Sequence, residues 1–231
     1  MSKYNIIFIS PHLDDVVYSC SQLLRDKKKE GNNILVITLF TQYDREDDSD
    51  NIFLNGKLRK EEDKEALEEL GVDLMYLDYP ELMIRDKLKD YSVLKQIVEP
   101  IRTLCYVKGD NYLPDIINQD LQEIINQNET EELYFPAAIG FHPDHILTFR
   151  ACYNLKNVKL IIYEDFPYCI HTVYRNLRLS FINTKNKFSV KVNPEEKKSD
   201  IMKYKSQFKT IFEDDDIDQI LKDYYEKYYI I

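Results

Sequence analysis

The chain has 231 residues, 31 of them Lys or Arg and 41 Asp or Glu, giving a formal net charge of −10. That length suits one domain able to bury roughly 70% of the surface its unfolded form exposes, and the acidic balance argues against nucleic acid or an anionic membrane as partner. The longest apolar runs, Ile6 to Ile9 and Ile34 to Phe40, are too short to cross a bilayer, and no basic-then-apolar leader opens the chain, so a cytoplasmic location is expected. Cys20, Cys105, Cys152 and Cys169 show no CxxC spacing and read as buried free thiols in a reducing compartment.

In chain order, Tyr4 to Ile9 has the continuous apolar character of a buried strand. A helical pattern follows from about Asp15 to Lys29, with Val16, Val17, Cys20, Leu23 and Leu24 on one face and Gly31 as its stop. Ile34 to Phe40 is a second strand. After a polar stretch over 41–56, whose acidic part (44–50) reads as a solvated loop, a charged amphipathic helix runs from about Lys57 to Leu70. Leu74 to Leu77 is a third strand, and Val93 to Tyr106 a third helix kinked at Pro100. Residues 115–127 read as helix, Glu132 to Phe135 as strand, His145 to Leu155 as helix and Val158 to Tyr163 as strand. Beyond Pro167, Leu179 to Thr184 and Lys187 to Val192 alternate around Lys185-Asn186 as an antiparallel hairpin. Helices over Pro194 to Phe208 and Asp216 to Tyr228 then close the chain. This order predicts a single Rossmann-like α/β domain over 1–231: a mainly parallel sheet flanked by helices (core about 4–170), with a C-terminal hairpin and helices (about 171–231).

The chemistry concentrates in two strings, Pro11-His12-Leu13-Asp14-Asp15 and His142-Pro143-Asp144-His145. Each follows a predicted strand, and ligands of open α/β sheets bind outside the carboxyl ends of strands. Taken singly, Asp14 and Asp15 also suit a helix N-terminus, and His142-Pro143 a turn before a helix capped by Asp144. Two such strings converging on one sheet edge favour a metal site. His12, Asp15 and His145 form a three-ligand set that leaves a position open, as catalytic zinc requires. A metal there lowers the pKa of a water and polarises a carbonyl. Asp14 is placed as general base, and His142 as oxyanion stabiliser and acid for a leaving amine, with Asp144 orienting His142. His171 stands apart and reads as a surface or packing residue. The set suits metal-assisted amide hydrolysis. A two-metal phosphoesterase is the first rival and a non-catalytic carbohydrate- or sugar-nucleotide-binding protein the second.

These strings, with Ser10, resemble the PIG-L/LmbE-like family of zinc-dependent N-acetylglucosaminyl deacetylases. The resemblance extends through Arg59-Lys60-Glu61-Glu62-Asp63-Lys64-Glu65-Ala66-Leu67, Leu77-Asp78-Tyr79-Pro80-Glu81 and Tyr163-Glu164-Asp165-Phe166-Pro167-Tyr168, covering about residues 4–170. Tyr204-Lys205-Ser206-Gln207 is similar to one bacterial branch. The resemblance implies one Zn2+ per chain (another divalent metal such as Fe2+ is the alternative) held by His12, Asp15 and His145. It also implies Asp14 as general base, His142 as oxyanion-stabilising residue and Asp144 as its partner. Glu81 falls at a position associated with substrate hydroxyls, and Arg59 near one on the substrate-side rim. Leu13 and Val16 stand where many members carry proline and glutamate. The expected reaction is removal of an N-acyl group, acetyl in the simplest case, from an amino sugar or its conjugate.

Overall fold

The computed structural model describes residues 3–43, 55–87, 110–212 and 216–231. Its centre is a seven-stranded sheet in the order β3-β2-β1-β4-β5-β7-β6. Strands β1 (Ile6–Ser10), β2 (Ile34–Thr38), β3 (Asp73–Tyr76), β4 (Glu132–Pro136) and β5 (Lys159–Tyr163) run parallel to one another. Every residue of β1 and β2 is buried, as unbroken apolar runs require when helices cover both faces of a parallel sheet. The edge strand β3 is only half-buried and alternates accordingly.

The connecting helices lie close to their predicted positions. They are α1 (Asp15–Lys29), α2 (Gly56–Glu69), α4 (Leu113–Asn128) and α5 (Pro143–Cys152); α3 (Leu82–Lys87) is a short helix that the sequence reading did not predict. The helix read over Val93 to Tyr106, the acidic loop over 44–50 and Cys105 lie outside the described residues. Cys20, Cys152 and Cys169 are buried free thiols. No helix among the described residues is long and apolar enough to cross a membrane.

The C-terminal quarter departs from the sequence reading. Leu179 ends a helix, α6 (Thr172–Leu179), where a strand was expected to begin. The next three amides finish that helix, because Ser180, Phe181 and Ile182 donate to the carbonyls of Asn176, Arg178 and Leu179. Strand β6 (Asn186–Lys191) therefore has no hairpin partner before it. It pairs antiparallel with β7 (Tyr225–Ile230), which in turn pairs antiparallel with β5. β7 overlaps the end of the helix expected over Asp216 to Tyr228. Its tyrosines suit a pleated, half-buried surface, and Glu226 and Tyr228, two residues apart, are both fully buried. The helix expected over Pro194 to Phe208 is two helices, α7 (Pro194–Met202) and α8 (Lys205–Ile211), and only Ile217–Leu221 (α9) is helical before β7.

Strand order explains where a site forms. The chain runs from β1 outward to β2 and β3, then returns to place β4 on the other side of β1, so the order reverses between β1 and β4. These neighbours pair directly, with Ile6 opposite Glu132 and Phe8 opposite Tyr134. The crevice beyond their carboxyl ends is the usual ligand position of such sheets.

Candidate metal centre

Both His/Asp strings open into that crevice. After β1 the chain turns sharply, held by Ser10, whose hydroxyl donates to the His12 carbonyl at 2.5 Å and accepts from the Val16 amide at 3.2 Å. Asp14 occupies the cap position of α1 without a side-chain cap bond, so its carboxylate is not spent on the helix terminus. Asp15 accepts the His12 amide at 2.8 Å. After β4 the loop contains Ala138 and Phe141 at φ 62° and 61°, a left-handed conformation that costs a non-glycine residue roughly 1–2 kcal/mol each. Their turns deliver His142 to the cap of α5, with Pro143, Asp144 and His145 in its first turn.

The two strings meet at Asp15. Its Oδ2 lies 3.2 Å from His12 Nδ1 and 3.2 Å from His145 Nε2. Zinc bonds of about 2.0–2.1 Å at tetrahedral angles separate neighbouring donor atoms by roughly 3.3 Å, so each of these two distances is that expected between neighbouring ligands of one ion. The second nitrogen of each imidazole faces a buried carboxylate. His12 Nε2 meets Asp144 Oδ2 at 3.1 Å, and His145 Nδ1 meets Asp165 Oδ1 at 2.7 Å. Donation to those carboxylates leaves His12 Nδ1 and His145 Nε2 as the lone-pair nitrogens, the carboxylate–histidine arrangement typical of metal ligands. Asp165 Oδ2 also accepts the Ile139 amide at 3.0 Å, which fixes the β4–α5 loop.

Asp144 therefore has a different partner from the one expected. Its carboxylate receives His12, the Leu82 amide at 3.1 Å and the Arg85 guanidinium, which also holds Asp110 at 2.9 Å. What reaches His142 is the Asp144 main-chain N–H, donated to His142 Nδ1 at 3.2 Å. One nitrogen each of His12, His142 and His145 lies within 4.8 Å of the others, so a His12/His142/His145 set is an alternative way to hold a metal. The cap bond weighs against it. With Nδ1 accepting, the proton of a neutral His142 sits on Nε2, which then donates and has no lone pair for an ion. Burial, and next the neighbouring His12 charge, push the His142 pKa down to about 3.

Charge in the cluster follows from these contacts. Burial, with the Asp15 carboxylate beside it, raises Asp14 to about 6. Burial opposes a charged His145, but Asp15 and Asp165 outweigh it and lift the pKa to about 9 in the absence of a metal. Metal binding at this nitrogen would displace a proton.

A cavity of about 410 Å³ opens onto the cluster. Glu81 and Arg59 both line it, 3.8 Å apart, and Glu81 lies 3.9 Å from His12 Nε2. Arg59 comes from α2, with its guanidinium 5.3 Å from the centre of the Tyr43 ring. His171 is exposed at the cavity mouth, in keeping with a surface residue. A larger hollow of about 730 Å³ runs along α2 past Lys57, Lys60 and Lys64, but no residue of the two His/Asp strings lines it, so size does not mark the site. The sequence reading gives Asp165 only as part of the Tyr163–Tyr168 motif, with no role at the site, and does not single out Arg85. Asp165 directly follows the β5-Glu164 edge of the same crevice, and that position was the available signal.

The PIG-L family model, described as GlcNAc-PI de-N-acetylase, matches residues 7–156. The chain belongs to the PIG-L family. As a PIG-L protein it is an amide hydrolase of the N-deacetylase class. It is 27% identical over 197 residues to the 2'-N-acetylparomamine deacetylase of Niallia circulans, covering 72% of this chain and 68% of that protein. Its fold is similar to that of a bog-bound deacetylase from the teicoplanin biosynthesis pathway, at a TM-score of 0.75, 22% identity and coverage of 97% of this chain and 96% of that one. It is also similar to the zinc-inhibited form of teicoplanin deacetylase Orf2, at a TM-score of 0.73, 23% identity and 97% coverage of both chains.

Proposed function

We propose that the whole chain acts as one zinc-dependent deacetylase domain that removes an N-acetyl group from an amino sugar or amino-sugar conjugate in the cytoplasm. The observation that carries this reading is the convergence on Asp15 Oδ2. Two histidines each present one nitrogen there at 3.2 Å and commit the other to a buried carboxylate. His12, Asp15 and His145 hold the ion, and Asp144 and Asp165 orient the two imidazoles.

A bound zinc supplies an acidified water and a polarised carbonyl. Asp14 takes the proton of the attacking water, and its raised pKa suits it to pass that proton to the departing amine. His142, neutral and protonated at Nε2, donates to the oxygen on which negative charge develops. This keeps its oxyanion role and moves protonation of the leaving group to Asp14. Arg59 and Glu81 on the cavity wall hold substrate hydroxyls. The buried free thiols of Cys20, Cys152 and Cys169 support a reducing, cytoplasmic setting.

The test is acetate release from N-acetylglucosamine and its glycosides by the purified chain, with and without a chelator. Turnover that disappears on chelation and returns with zinc is expected. Metal-independent turnover, or none on any N-acetylated amino sugar with metal present, would remove the proposal.

A further inference from the structure

The C-terminal segment completes the cavity wall. Gln207, in the first turn of α8, is 2% exposed and lines the cavity together with Tyr18 of α1. Tyr18 is 1% exposed, and its hydroxyl has no hydrogen-bond partner among the described residues. Burying a hydroxyl without a partner is unfavourable unless something else satisfies it. Tyr18 lies one helical turn beyond Asp14, with its amide bonded to the Asp14 carbonyl at 2.9 Å. Long helical side chains lean toward the helix N-terminus, which here means toward the cavity.

Both groups are held firmly. The Tyr18 ring packs edge-on against Tyr204, with centroids 5.5 Å apart, and lies 5.8 Å from Phe212. Tyr204 in turn donates to Asp63 of α2 at 2.7 Å. Glu62 accepts the Ser206 amide at 3.0 Å and its hydroxyl at 2.5 Å. The Gln207 amide nitrogen donates to Ser206 Oγ at 3.1 Å, leaving its carbonyl oxygen as the acceptor still to be used.

We infer that Tyr18 and Gln207 form a hydrogen-bonding subsite that reads a ring hydroxyl of the amino sugar, separate from the Arg59–Glu81 pair. Tyr18 Oη both donates and accepts, and Gln207 Oε1 accepts, a combination matched to a sugar hydroxyl. Both are positioning residues that set which sugar is accepted, and this assignment rests on the deacetylase reading above.

The experiment measures kcat and KM for N-acetylglucosamine and its 3-, 4- and 6-deoxy analogues with wild type, Tyr18→Phe and Gln207→Leu, alongside each Tm. Tyr18→Phe deletes only an unpartnered hydroxyl, so its Tm stays at or above wild type. It should lower kcat/KM about tenfold on the parent sugar. On one deoxy analogue, the one lacking the hydroxyl that is read, wild type and variant should converge. Gln207→Leu should converge on that same analogue. Equal losses on all four sugars, or kcat/KM within twofold of wild type throughout, would overturn the subsite while leaving the deacetylase reading intact. A wild type that cleaves none of the sugars overturns both.

Discussion

At the scale of single residues, the adjacent carboxylates Asp14 and Asp15 have different surroundings, and the proposed division of ligand from base rests on that difference. Asp15 is drawn inward by the His12 amide at 2.8 Å and by two imidazoles. These partners hold its carboxyl well below the usual carboxylate range despite burial. Among the described residues no imidazole hydrogen-bonds Asp14, and burial, then the Asp15 charge, raise it to about 6. Separated pKa values in neighbouring groups divide ligand from base. Asp14→Asn should therefore keep its metal and fold while kcat falls by about 10²- to 10⁴-fold, the usual loss for one general base. Normal kcat in that variant would mean that another group takes the proton. The convergence of the two strings was legible in the sequence, because the strings that carry His12, Asp14, Asp15, His142 and His145 each follow a strand of the same parallel sheet and meet at one cavity. The sequence did not show which carboxylate orients which imidazole. That pairing depends on Leu82, Arg85 and Asp165, which reach the site from other elements.

At the scale of elements, α2 links the cavity wall to the C-terminal tail. One face carries Arg59 into the cavity, and Glu62 and Asp63 hold Ser206 and Tyr204. This tertiary capping divides the helix expected over Pro194 to Phe208 into α7 and α8. Local periodicity contains no trace of a partner 144 residues away. Asp63 itself is a buried carboxyl raised to about 8, chiefly by burial, against the opposing pull of its bonds from Tyr204 and Tyr76. A folded-state pKa above the ordinary 3.8 means that the folded protein holds this proton more tightly than the unfolded chain. The resulting stability is fully present below about pH 4 and lost as pH rises through about 8. Asp63→Asn, which has no proton to lose, should show a flatter dependence of Tm on pH across that window than wild type. Identical slopes would mean that Asp63 is already ionised in the folded protein at low pH.

At the scale of the whole molecule, the parallel half was legible because buried parallel strands are continuous apolar runs and the helices between them carry clear stripes. The antiparallel half was not. β6 and β7 pair across more than thirty residues of sequence, and a tyrosine-rich segment satisfies helical and strand spacing almost equally until its neighbour is known. That half also contributes Gln207 and Ile211 to the lining of the cavity beside His12 and Asp15. β7 extends the sheet beside β5, and Glu226 accepts the amides of Gln22 and Leu23 in α1 at 3.0 Å each. Lys197 of α7 pairs with Glu226 at 2.6 Å, both side chains fully buried, so removing either partner would strand a charge in the interior.

The central claim is that Asp15, and not His142, completes the metal site with His12 and His145. Metal content per chain, measured on purified Asp15→Ala and His142→Ala after identical zinc loading and dialysis, tests it most directly. Asp15→Ala is expected to lose most of its metal, whereas His142→Ala retains near one ion per chain with a strongly reduced kcat. A His142→Ala protein stripped of metal beside an Asp15→Ala protein that keeps it would contradict the account and assign the site to the three histidines.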